Sequence, residues 1–187
     1  MSHTAVRIPP LAVEDLTPEQ LKLIGGWHHL VFSRVLVRHP GMYATFLPFL
    51  TEVITKTSLP PRDREIVCLR MLRLCKDVYE HTHHITIAQR CGMTEQEITD
   101  VSEGKGATLT ATDMEVVHAT EELYRDQRIS DRTWAALGKR YSQQQMMELV
   151  FLAGCYQTMG MLTRTFDMEL ETAPEDHERI NALRTYK

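Results

Sequence analysis

Helix-start and helix-stop signals punctuate this chain from Thr17 to Ser142, and no run between them alternates apolar and polar residues over several β-branched positions. Thr17-Pro18-Glu19-Gln20 combines a capping hydroxyl, a first-turn proline and a glutamine three residues after the cap. Gly25-Gly26 interrupts that segment. Helical patterns follow over about 28–38, ending before Pro40, and over about 41–55, where Met42, Phe46, Phe49 and Leu50 recur near helical spacing. Ser58-Leu59-Pro60-Pro61 breaks the pattern, and Pro61 opens the next helix. A segment over about 77–91 stops at Gly92, and Thr94-Glu95-Gln96-Glu97 restarts as a capping box. Gly104 and Gly106 mark a loop, and ATDMEVVHATEELYRD is amphipathic. Ser130 caps a segment reaching Tyr141, and Ser142 caps a long one over about 143–168. The expectation is an all-α fold, a bundle of about eight helices over residues 16–171. An N-terminal extension (1–15) precedes it and an exposed polar tail (172–187) follows.

With 187 residues, 43% hydrophobic and 25% charged, the chain can bury a substantial core. The net charge of −4 comes with no basic block, which argues against nucleic acid. No apolar run spans a bilayer, and MSHTAVRIPPLAVEDL has no apolar signal core, so no membrane partner and a cytoplasmic location are expected. Cys68, Cys75, Cys91 and Cys155 form no Cys-x-x-Cys. Cys68 and Cys75 would lie about 10 Å apart along one helix, too far for a disulfide within it. Reduced, mostly buried thiols are expected.

The chemistry concentrates in CKDVYEHTHH, Cys75 to His84. On a helix, Asp77, Glu80, His81 and His84 share one side, and Tyr79 and His83 form a neighbouring strip. Val78, Thr82, Ile85 and Ala88 are left as the core-facing side. A carboxylate beside an imidazole, as in Glu80–His84, favours the imidazolium, fixes its tautomer and can move a proton near neutral pH. On a solvated face the same spacing is an ion pair worth a few tenths of a kcal/mol. Tyr79 can donate to a developing oxyanion. His81 and His83 point in different directions and are expected in solvent.

Glu65 lies in the preceding helix, PRDREIVCLRMLRLC, and enters its apolar stripe. With Arg62, Arg64 and Arg70 nearby, it forms either a salt bridge at the rim or part of a buried relay. A metal on the histidine-rich segment would need further ligands such as His28, His29 or Glu65, so no metal and no cofactor are expected. Met146, Met147, Met159 and Met161 of the last long helix suit the core. Any of that stripe left exposed would suit an adaptable pocket or a subunit interface.

The stretch LPPRDREIVCLRMLRLCKDVYEHTHHITIAQRCGMTEQEI, Leu59 to Ile98, resembles the carboxymuconolactone decarboxylase family, which includes the AhpD-type alkylhydroperoxidases. The resemblance lies in an Arg/Glu-rich helix, a Tyr-Glu pair, a His four residues after that Glu, then Ala, Gly and an acidic capping segment. Flanking helices extend it to about Leu16–Glu171. It implies an AhpD-like bundle that assembles as a homo-oligomer, a trimer, hexamer or dimer, with sites near subunit contacts. The peroxidase branch of the family uses a Cys-x-x-Cys whose second cysteine precedes the histidine by four residues. Asp77 and Glu80 stand at those positions here, so no dithiol forms. Glu65, nineteen residues before His84, occupies the place of the relay glutamate. Tyr79 matches the common aromatic, and His81 stands where relatives often carry Trp.

The residues and the resemblance together imply a cofactor-independent enzyme acting by proton transfer on a small lactone or enol acid. Decarboxylation, isomerisation and ring opening all fit. His84 would be the general acid/base, Glu80 its orienting partner or the base itself, and Tyr79 and Glu65 supporting groups. The alternatives are a redox protein using Cys75, Cys91 or Cys155, and a non-catalytic or metal-binding oligomer.

Overall fold

The computed structural model describes residues 6–172, Asp176 and Glu178. Most of the expected tail and the first five residues of the extension lie outside the described residues. Among the described residues the chain is all-α, with nine α-helices, two 3₁₀ turns and no strand. The helices are α1 (Pro18–Ile24), α2 (Val31–Leu36), α3 (Pro40–Thr55), α4 (Pro61–Leu74), α5 (Tyr79–Arg90), α6 (Glu95–Glu103), α7 (Ala111–Asp126), α8 (Asp131–Leu137) and α9 (Gln143–Thr165).

The capping signals hold in detail. Thr17, Thr94 and Thr110 each accept from the amide three residues on, and the side chain at that position bonds back. Ser142 and Gln145 exchange the same pair of bonds at the start of α9. Some bounds differ from the sequence reading. Gly25–His29 forms a 3₁₀ turn, so α2 begins only at Val31. Pro40 opens α3 rather than preceding it, as a first-turn proline can because its missing N–H has no helical partner. Asp77 lies outside α5 and caps it, its Oδ1 accepting from the Glu80 amide at 2.7 Å.

The chain divides into two compact units, residues 1–51 with 162–187 and residues 52–161. The first is centred on Leu16, Ile24, Val37 and Tyr43, with Trp27, Leu36 and Leu47 packed around them. Within it Glu171 accepts from the Val31 amide at 2.8 Å, at the start of α2.

The second unit is organised around α4, which packs against α5, α6 and α7. From Asp63 to Leu69 every residue of α4 is buried, so its charged groups as well as its apolar ones face protein. Each finds a partner on a different element. Arg62 bonds Glu97 (2.6 Å) and Asp113 (3.1 Å), the carboxylates of the α6 and α7 capping boxes. Asp63 accepts from Arg140 and Tyr141. Arg64 donates to the Ile54 carbonyl at the end of α3. Arg70 bonds the Ser102 carbonyl of α6 and Glu121 of α7. Burial of unpaired charge would cost several kcal/mol per group, so these partners are a condition of the packing. All four cysteines are free thiols, with Cys68, Cys75 and Cys155 buried, as expected.

Candidate functional site

The corner between α4 and α5 aims the site. Lys76 takes the left-handed conformation at φ 57°. The Asp77 amide reaches back to the Leu72 carbonyl (2.9 Å) and the Lys76 amide to that of Arg73 (3.0 Å). This is a Schellman stop built without glycine. Asp77 then caps α5 at once, so the first turn of α5 folds back along α4.

That geometry inverts the expected orientation of α5. Tyr79, Glu80, His83, His84, Ile87 and Ala88 face inward. Val78 is 71% exposed and Thr82 is exposed, although both were expected to face the core. On that buried polar side His84 meets Glu65 of α4 and the Tyr156 ring of α9. His83, expected in solvent, is buried with its ring edge-on to Tyr79 at 4.9 Å.

At the centre is a carboxylate–imidazole couple, and the carboxylate on His84 is that of Glu65. Glu65 Oε2 lies 2.7 Å from His84 Nδ1, with side-chain exposures of 1% and 4%. The rim position considered for Glu65 is therefore corrected: it is buried, with Arg64 Nε donating to Oε1 at 3.0 Å. Burial opposes the Arg64 charge, but the Glu65 carboxylate outweighs it and holds the guanidinium above its ordinary range. Glu65 thus faces a nitrogen of each neighbour, and an acceptor-only carboxylate at Nδ1 selects the Nδ1–H tautomer whenever the His84 ring is neutral. In that tautomer Nε2 carries the lone pair. The Tyr156 ring of α9 stands at 90° to the imidazole, 4.8 Å away, and its hydroxyl bonds Cys68. The sequence offered Arg64 as a salt-bridge neighbour of Glu65 and Cys68 as a buried thiol, but placed neither of them, nor Tyr156, beside His84. Their one signal was a carboxylate inside an apolar stripe, which needs buried partners.

Glu80 is buried in the first turn of α5, where a negative charge suits the helix dipole. Burial, reinforced by the nearby Glu80 charge, pushes the Cys155 thiol up to about 12. Burial and the Glu65 charge likewise push Cys68 well above the thiol range. Both are held as neutral thiols, the opposite of what a thiolate nucleophile needs.

Donor atoms of Glu65, Cys68 and His84 lie within 4.8 Å of one another, a mixed O, S and N set of the kind a soft divalent ion takes. The bonds from Arg64 and His84 to Glu65 and from Tyr156 to Cys68 occupy this set from within the protein. His28 and His29 belong to the other unit and are not part of it.

His81, expected in solvent, is half-buried and bonded through Nε2 to Ser102 Oγ at 2.9 Å. The Ser102 hydroxyl donates to the Ile98 carbonyl, so His81 Nε2 carries the proton in this contact. Burial, with the charges of His84 and Arg73, pushes His81 down to about 4. Between its ordinary value of about 6.5 and that depressed value, the unfolded chain binds a proton that the folded chain refuses. Stability should therefore fall as pH drops through this window. His81→Gln should flatten that part of a urea-midpoint profile taken across it, and an unchanged slope would place the titration elsewhere.

An all-helical protein enclosing an ionisable cluster among α4, α5 and α9 is the class defined by this fold and site. More narrowly, residues 40–122 match the model of the carboxymuconolactone decarboxylase family. Glu65, Tyr79, Glu80 and His84 all fall within it, while Tyr156 lies beyond it. A comparison with curated proteins finds no match.

Proposed function

We propose that this protein is a cofactor-independent enzyme of the carboxymuconolactone decarboxylase-like type, moving a proton on a small lactone or enol/carboxylic acid. The observation that carries the reading is the buried Glu65–His84 couple, with His84 held in one tautomer. In this reading Nε2 takes a proton from carbon or oxygen while negative charge spreads into a carbonyl, then returns it. Glu65 orients the ring and stabilises the imidazolium formed in between, as a buried carboxylate does for a catalytic histidine. Tyr79 supplies a hydrogen-bond donor for the developing oxyanion, and Glu80 is a second carboxylate beside the couple. The reaction is a lyase-type or isomerase-type step on a metabolite of aromatic-compound breakdown. A homo-oligomer in the cytoplasm, where four thiols stay reduced, fits the same reading.

The peroxidase-type reading loses its support here, since Asp77 and Glu80 stand where its thiols would be and Cys68 and Cys155 are held protonated. The deciding experiment is a spectrophotometric screen of small lactones, enol acids and hydroperoxides. Turnover of a lactone or enol acid is expected. Turnover of hydroperoxides alone, with reversible loss of two thiols, would replace this reading.

A further inference from the structure

From Leu149 to Thr163, α9 contains no Asp, Glu, Lys or Arg, yet part of this stretch lies in solvent. Met147 (61%), Val150 (42%), Phe151 (54%) and Met161 (56%) are exposed, and with Gly154 and Thr158 they occupy one face of the helix. A helix that is apolar all round is one that protein covers all round. No helix among the described residues is long and apolar enough to cross a membrane, so a bilayer span is not what covers this one.

Gly154 is the unexplained residue of the face. A mid-helix glycine costs about 1 kcal/mol relative to alanine. Gly160, on the same helix, has a reason within the chain: a Cβ there would sit 2.7 Å from Cys75 Cβ. At Gly154 a Cβ would meet nothing within 4 Å. The space kept open at Gly154 faces outward.

The residues around it are arranged symmetrically. Met147 and Met161 lie seven residues to either side of Gly154, two helical turns each way, so all three fall on one line. Val150 and Thr158 lie four to either side. The Thr158 hydroxyl already donates to the Gly154 carbonyl at 3.0 Å, which leaves its methyl to face outward. An antiparallel copy of α9 crossing at Gly154 would set Met147 on the other copy's Met161, and Val150 on its Thr158. We infer that this face binds a second copy of the chain about a two-fold axis at Gly154, the self-complementary contact such an axis requires. The absent side chain lets the two helices approach at the short end of the usual 8–10 Å.

Beside this face Val150 borders a depression of about 390 Å³ that is also walled by Leu123, Ile129 and Trp134, the last 49% exposed. Face and depression together offer on the order of 500 Å² of apolar surface per copy, against roughly 800 Å² per partner in a standard interface. The polar rim supplies the remainder.

The test is light scattering on the full chain over a dilution series, with Gly154→Glu and Gly154→Cys. Wild type should show an even number of protomers of 21.6 kDa, and Gly154→Glu should halve the mass. Gly154→Glu has room in the single chain and gains helix propensity, so its helical content should be unchanged. Gly154→Cys under mild oxidant should form a covalent dimer that wild type does not. One or three protomers in wild type, a mass that Gly154→Glu leaves unchanged, or no cross-link through Cys at 154 would each overturn the inference.

Discussion

Glu65→Ala should destabilise the protein by about 3–5 kcal/mol, the loss typical of breaking a buried ion pair from one side. Two groups are stranded at once. Arg64, 4% exposed, keeps its bond to the Ile54 carbonyl but loses the charge that offsets its burial. His84 Nδ1 loses its acceptor in a site too enclosed for water to replace it freely. Against a total stability of typically 5–15 kcal/mol, the variant should unfold at far lower denaturant. Glu65→Gln should lose less, since an amide keeps the shape and one acceptor oxygen. Urea midpoints for the two variants and wild type decide the matter. An alanine variant within about 1 kcal/mol of wild type would mean that Arg64 and His84 find other partners and that the couple is not what holds this corner together.

The second large effect is on turnover. His84→Gln should lower kcat by about 10²–10⁴-fold on any substrate found in the screen, the usual contribution of a positioned general acid–base group. The glutamine amide can still donate to Glu65, so the fold should change little and the loss belongs to chemistry. Glu80→Gln separates the two roles considered for that carboxylate. If Glu65 orients the imidazole, removing the Glu80 charge costs much less than removing His84. If Glu80 is itself the base, the two losses are equal. Wild-type turnover by His84→Gln with its helical content intact would end the proton-transfer assignment.

Much of the fold was legible because helix ends are local events. A threonine with a carboxylate or amide three residues on satisfies two orphan amides whatever surrounds it, and Thr17, Thr94 and Thr110 do so. The residues of the site were legible as types: Glu65, Tyr79, Glu80 and His84 are all buried in the same unit. Their arrangement was not. Periodicity assigns the apolar side of a helix to the core, and α5 departs from this because His84 on its polar side meets Glu65 and the Tyr156 ring, neither of them on α5. The choice between Glu80 and Glu65 as the partner of His84 had the same origin. Spacing within one helix is visible in a sequence, whereas the nineteen-residue separation closes only through the Schellman turn at Lys76. Tyr156 was hidden for a simpler reason: in a helix that is apolar all round, no face announces a site.

The polar side chains of α4 reach out like ties to α3, α5, α6, α7 and the residues after α8. None of these helices can swing away alone without breaking a bond to a charged group on α4. Partial melting therefore has no easy first step, and residues 52–161 should give way together, in a single sharp collapse rather than by fraying from one side.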